Sequence, residues 1–552
     1  MDHERAFLQA IREEPHDDAH RLIYADWLEE QGGAHRTARA NFIRAQCRFA
    51  VLPADDPMRG ALEGEAADLL AEHECAWTQP LHGLAEDWQF ARGFVEAITI
   101  KGADFLTHAE RLFAFAPLRA VHLLIGPKDI PHLAACPFLQ FVETLDFRRC
   151  HLNDRSLQQL LTSPYLQRLS ALDLDGNGIT TPGIQSLVHS SVFMHLRRLN
   201  LSRNAGVGDK AIHLLARSPH AESLEELGLA ATNATLEGLQ NLFQSPHLPR
   251  LTSLNVARTR SWWAQLTSPL RIWADSKLLR QLRNLDLSEN VHPASVGVLL
   301  DSLRAPHLHT LHLRSIAAGS SEAKFLANSP HLANLTFLDL RKNNLGAEGM
   351  QILADSPHLA SLTHLDVSSN NIRDTGAKAL AASPHFRRLA VLDLARNGIG
   401  GPGLQALAES PNLQHVTMLN LAANFIGADS VRALAESGHL SRLSWLDLSD
   451  ACLDETSARV LASSANLARL ATLLLQKNQL GDAGAKALAQ SPHLQRLATL
   501  DLNDNRIGKA GAEALAVAPS WRRMRKLDLR GNVFTDTQEA LLRERFADAV
   551  LL

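Results

Sequence analysis

Eight histidines recur at one position of a repeating pattern: His220, His247, His307, His331, His358, His385, His439 and His493. Imidazoles can ligate a metal or relay protons. A metal site needs ligands converging on a point, whereas equivalent positions of a repeat form a row. The row reads as a loop-packing residue copied by duplication, and no metal or cofactor is expected. A second cluster, Tyr24, Asp26, Glu29 and Glu30, could be acid/base or metal chemistry. Tyr24, Trp27 and Leu28 share one helical face, however, with the acids turned to water, and no second carboxylate or histidine group converges on them. The chain shows no P-loop, no GxGxxG after a strand, no HExxH and no GxSxG. An enzyme is not expected.

Charge and cysteines narrow the partners. The formal net charge is −4, which gives no pull toward nucleic acid or an acidic membrane. The five cysteines are scattered and odd in number, as expected of free thiols in a reducing compartment. The charged start is not followed by an apolar run, and no stretch is long enough to span a bilayer. A cytoplasmic monomer is the expectation.

The elements that hold these residues repeat. Leu172–Asn177, Leu338–Asn343, Leu392–Asn397 and Leu500–Asn505 all read LDLxxN. Extension gives a ladder at Cys150, Asn177, Asn204, Thr232, Thr259, Asn290, Ile316, Asn343, Asn370, Asn397, Asn424, Ala451, Asn478, Asn505 and Asn532, and eleven of its fourteen steps are 27 residues. In LxL the two leucines point to one side of a strand and the middle residue to the other. The chain then turns, freeing backbone groups that a buried Asn can satisfy with both its carbonyl and its amide. Cys150, Thr232 and Thr259 can do part of that work. Ile316 and Ala451 cannot, so irregularity is expected there.

The second half of each unit is helical, as in Gly376–Ala381, Gly484–Ala489 and Gly511–Ala516. It stops at Ser-Pro-His, since proline disfavours helix in the residue before it. Strand, turn, helix and loop in this order resemble the ribonuclease-inhibitor-like class of leucine-rich repeats over roughly residues 90 to 535. The resemblance implies an α/β solenoid, a horseshoe with a parallel inner sheet and outer helices, spanning residues 91–534 with about 15 clear turns plus 2 degenerate ones near Ile98–Ile100 and Val121–Leu123. Residues 535–552 read as a C-terminal capping helix that begins at the capping box Thr535-Asp-Thr-Gln538.

Residues 1–90 lack the repeat. Helices are expected near 2–14, 17–31, 34–52 and 56–77. The stretches Arg21–Glu30, Asn41–Gln46 and Trp88–Glu96 resemble the small bacterial repeat-companion domain, which implies a helical module attached to a repeat array.

Three features bear on binding. The middle strand residue is Asp in nine turns: Asp146, Asp173, Asp286, Asp339, Asp366, Asp393, Asp447, Asp501 and Asp528. Carboxylates stacked at strand spacing need hydrogen bonds from neighbouring strands or raised pKa values; the column reads as repeat consensus on a net acidic concave face. The residue before LxL is Phe337, His364, Val391, Met418 and Trp445 on five successive strands, with Thr310 and Thr472 flanking. Large apolar residues side by side in water mark partner sites. The one long step, Thr259 to Asn290, carries Trp262, Trp263 and Trp273, a bulge read as local repair. A non-catalytic scaffold binding a protein partner on the concave face is the leading expectation, through Phe337, His364, Val391, Met418, Trp445, Asp339, Asp366, Asp393 and Asp447. The alternative is a regulator of a partner enzyme, such as a GTPase activator or an enzyme inhibitor, for which Arg341, Lys342 and Arg396 are available. A ligase or protease effector would need a nucleophile domain, and the chain runs only about twenty residues past Asn532.

Overall fold

The computed structural model describes residues 2–52, 57–259, 276–290, 304–519, 521 and 524–552. The chain forms two compact units, residues 1–254 and 255–552.

The first unit opens with four helices, α1 (Asp2–Glu13), α2 (Ala19–Glu30), α3 (Ala34–Val51) and α4 (Pro57–Thr78). An antiparallel pair follows, β1 (Ala85–Ala91) and β2 (Phe94–Lys101). β2 begins a parallel ladder through β3 (Ala120–Leu124), β4 (Thr144–Asp146), β5 (Ala171–Asp173), β6 (Arg198–Asn200) and β7 (Glu226–Gly228). The two faint turns therefore are full strands, β2 and β3.

The stretches Arg21–Glu30, Asn41–Gln46 and Trp88–Glu96 meet in this unit. Arg21 is fully buried and donates to Glu96, which also binds Arg119 at 3.1 Å. Arg44 Nη2 donates to Asp26 at 2.6 Å and to Glu29 at 2.7 Å. The Gly93 amide donates to Gln46 Oε1 at 2.7 Å. Gly93 has φ +87, and a Cβ there would lie 2.4 Å from Ile43. Only glycine satisfies both the dihedral and the close approach.

A short strand, β8 (Ser253–Asn255), lies at the boundary between the units. The second unit contains β9 (Asn284–Asp286), β10 (Thr310–His312), β11 (Phe337–Asp339), β12 (His364–Asp366), β13 (Val391–Asp393), β14 (Met418–Asn420), β15 (Trp445–Asp447), β16 (Thr472–Leu474), β17 (Thr499–Asp501), β18 (Lys526–Asp528) and β19 (Val550–Leu551). They pair in parallel from β9 to β19, leucine on leucine from Leu285 through Leu527. Helices such as Gly346–Ala354, Arg373–Ala382 and Gly401–Ala408 cover the leucine side. Leu338, Leu340, Leu353, Leu359 and Leu362 are all fully buried, so each unit contributes strand and helix leucines to one core. The final helix, Asp536–Phe546, starts with the expected Thr535–Gln538 box, and β19 then covers the edge of β18. Pairing continues unshifted on both sides of Ala451 and Ile316, so the irregularity expected there is not found in the strands. The reason is that their own amides still reach the next Asn: Ala451 N donates to Asn478 Oδ1 at 3.1 Å and Ile316 N to Asn343 Oδ1 at 3.0 Å.

Among the described residues no helix is long and apolar enough to cross a membrane. The bulge with Trp262, Trp263 and Trp273 lies outside the described residues.

Candidate functional site

The face of β11–β15 turned away from the helices is set by the turns that end each strand. After each LxL the chain passes through a left-handed residue: Lys342 (φ 55), Ser369 (φ 57), Arg396 (φ 56), Ala423 (φ 54) and Asp450 (φ 51). The following ladder residue then locks the turn. Asn397 Nδ2 donates to the carbonyls of Val367 and Leu394, while its Oδ1 accepts the amides of Asn370 and Ile372. Asn177, Asn204, Asn290, Asn343, Asn370, Asn424, Asn478, Asn505 and Asn532 occupy the same place, and their amides likewise reach the carbonyl of the preceding turn. The substitutes do less. Cys150 Sγ donates to Leu123 O, and Thr232 Oγ1 to Leu229 O in its own turn.

A second ladder ties the helix side. Ser356 Oγ donates to Ala327 O at 2.6 Å, Ser410 to Ala381 O at 2.6 Å and Ser464 to Ala435 O at 2.6 Å. Ser356 and Ser410 open Ser-Pro segments, which by sequence are only helix stops. Each of these serines also caps the helix of the previous turn, a role that sequence reasoning missed; their recurrence from turn to turn was the available signal. The adjoining histidines are half-buried or exposed and stay in a row.

On the open face, strand register places Phe337, His364, Val391, Met418 and Trp445 directly beside one another. Met418 is 37% exposed and the other four are half-buried. The Phe337 ring stacks on His364 at 5.7 Å and meets His312 at 4.9 Å. Burial lowers the His364 pKa, so its imidazole tends to the neutral form.

The next column is Asp339, Asp366, Asp393, Asn420 and Asp447. Hydrogen bonds from neighbouring strands, expected throughout this column, occur where Asn replaces Asp: Asn420 Nδ2 donates to Asp393 Oδ2 at 2.9 Å, and Asn200 to Asp173 at 3.1 Å. Elsewhere each Oδ1 accepts the amide two residues on in its own turn, as with Arg341 N to Asp339, Ser368 N to Asp366, Ala395 N to Asp393 and Ser449 N to Asp447. The neighbouring strand has spent its backbone groups on the ladder, whereas the left-handed turn brings its own amide back over the carboxylate.

Among the described residues, basic side chains reach one end of this column. Arg341 pairs with Asp339 at 3.5 Å and Asp366 at 3.3 Å, and His312 lies 3.6 Å from Asp339. Burial works to raise the Asp339 pKa, but His312, the Arg341 amide and its guanidinium outweigh it and hold the pKa down. Burial, aided by the Asp366 charge, pushes Asp393 up to about 6. Burial also raises Asp366 and Asp447. Asp393 and Asp447 are held by neutral donors.

The other candidates separate. Tyr24 is buried and donates to Glu4 at 2.8 Å, Asp26 and Glu29 clamp Arg44, and Glu30 is exposed, so these four do not converge. Among the described residues, Glu14, Asp17 and His20 do bring three possible ligand atoms together, at a place that no sequence motif marks. Lys342 and Arg396 sit at the left-handed turn position.

Comparison with known proteins bears on the fold. The family described as Leucine Rich repeat matches residues 166–188, 194–216, 331–354, 358–381, 389–408, 470–489 and 491–516. No curated protein matches the chain. Two solved structures are similar: an internalin from Listeria monocytogenes, with 17% identity and TM-score 0.38 over 72% of this chain and 94% of that one; and the Rad7 and Elc1 complex in yeast, with 15% identity and TM-score 0.44 over 73% of this chain and 83% of that one. The seven matched stretches are leucine-rich repeats, and the same strand, Asn-locked turn and helix running between and beyond them give the chain an α/β solenoid fold.

Proposed function

We propose that the chain is a non-catalytic scaffold that binds a protein partner on the open face of β11–β15. The observation that carries this reading is the row Phe337, His364, Val391, Met418 and Trp445, aligned on five strands beside a column of carboxylates. Apolar side chains held in register on a stiff sheet lose little freedom on binding, which favours them as anchors. Among the described residues, the Asp393 and Asp447 end carries no ion pair of the kind Arg341 makes with Asp339 and Asp366, so a Lys or Arg next to an apolar anchor complements it. The partner segment is therefore apolar and basic. The regulatory alternative calls for an arginine free to reach another protein's active site; Arg341 is engaged by two carboxylates, which leaves Arg396, exposed at its turn.

The test is capture of partners from the cell of origin with the wild-type chain and with the double variant Met418→Asp, Trp445→Asp, both shown to melt cooperatively. Loss of the partner from the folded variant is expected. Retention of every captured partner removes this face from consideration.

A further inference from the structure

A cavity of about 330 Å³ lies in the first unit, between the N-terminal helices and β2, bordered by Glu4, Tyr24, Arg36, Arg39, Trp77 and Phe94. That volume is at the lower end of small-molecule sites, ~300–1,000 Å³. Its unusual member is Arg39. The guanidinium carbon lies 4.6 Å from the Trp77 ring centre, 5.3 Å from Phe90, 5.6 Å from Phe94 and 5.7 Å from Phe42. Ring faces attract the cation but leave the in-plane N–H groups of the fork without acceptors. Nη1 of Arg39 is sealed from water and has no hydrogen-bond partner. Burial lowers the Arg39 pKa to about 10, against the opposing pull of Tyr24 and Glu4.

The same module shows how a buried arginine is ordinarily satisfied. Arg21 is fully buried, and Glu96 accepts its hydrogen bond. Arg39 is half-buried and borders the cavity, and no group of the chain accepts from its Nη1. Glu4 also borders the cavity, but its Oε1 is taken by the Tyr24 hydroxyl at 2.8 Å. An acceptor supplied from outside would pair with the edge of the half-buried guanidinium that is not sealed, and a flat carboxylate matches that fork.

We propose that this cavity binds a small ligand bearing a carboxylate, which the Arg39 guanidinium receives while Trp77, Phe94 and Leu8 enclose an apolar body. Glu4 disfavours a dianion, and the aromatic walls favour a planar ligand over a bare inorganic ion. The site is separate from the open face of β11–β15 and does not depend on that reading.

The test uses the full chain and benzoate as probe, with inorganic phosphate as the parallel arm, measured by calorimetric titration and by the shift in melting temperature. Benzoate is expected to bind and to raise the melting temperature. Arg39→Lys, which keeps the charge but loses the fork, should weaken binding at least tenfold; Glu4→Gln should tighten it. Phosphate binding in place of benzoate overturns the carboxylate assignment. No binding of either at ~10 mM, or benzoate binding unchanged in Arg39→Lys, overturns the site.

Discussion

Asn397 Nδ2 donates to the carbonyl of Val367, thirty residues earlier, at 2.9 Å, and Asn397 Oδ1 accepts the amide of Asn370 at 2.9 Å. One side chain thus closes its own turn and ties it to the turn before. Wherever the ladder residue is Asn it ties its turn to the one before in this way, so a repeat is only as well held as the Asn beside it.

Asn397→Ala leaves the Val367 and Leu394 carbonyls and two amides short of partners in a buried turn. At ~1–3 kcal/mol for an orphaned buried group, partly relieved by water, the loss should be on the order of 3 kcal/mol by denaturant unfolding. Ala451→Asn, which fills a gap in the same column, should raise stability. A loss below about 0.5 kcal/mol for Asn397→Ala would show that the ladder is ornamental.

Gly93→Ala should destabilise the N-terminal module by about 2 kcal/mol or more, because φ +87 and the 2.4 Å approach of Ile43 oppose any Cβ. Asp26→Asn should cost less than ~1 kcal/mol, since Asp26 is exposed and Glu29 still pairs with Arg44. Local hydrogen exchange in α2 and α3 separates the two. Equal effects would contradict the packing described for Gly93.

Much of this was open to reading from sequence and some was not. Leu338, Asp339 and Asn343 announce strand, open face and turn because a buried ladder tolerates few residue types. Ser356, Ser383 and Ser410 repeat as faithfully, yet serine before proline has a local explanation, and a bond to a helix 29 residues back is visible only in three dimensions. The left-handed residue before each Asn was hidden for a different reason. Glycine fills it at Gly176 and Gly531, but Lys342, Arg396 and Ala423 fill it elsewhere, because the Asn bonds hold the turn whatever the side chain. The Arg39 cavity left no periodic trace, because most of its lining comes from N-terminal helices that occur once.

Asp393 supplies a pH dependence. Its folded pKa of about 6 lies above the ordinary 3.8. A carboxyl raised in this way favours the fold fully below pH ~4, and that contribution is lost as pH rises through about 6. Stability of the second unit should therefore fall between about pH 4 and about pH 6. The fall should reach up to ~3 kcal/mol, since each pH unit by which folding raises a pKa corresponds to ~1.4 kcal/mol. Asp393→Asn should flatten the slope, as followed by urea midpoints across pH. A slope of the opposite sign that Asp393→Asn removes would contradict the assignment. The same titration predicts that a basic partner binds more weakly at pH 5 than at pH 7.5.

The most direct measurement is a photo-crosslink. A photo-reactive residue replacing Met418, on the open face of β14, is compared with one replacing Lys324, exposed on the helix Ser320–Asn328. If the partner docks on the open face, it crosslinks to position 418 and not to position 324, and the crosslinked peptide contains Lys or Arg beside an apolar residue. Crosslinking at 324 with none at 418 would contradict docking there.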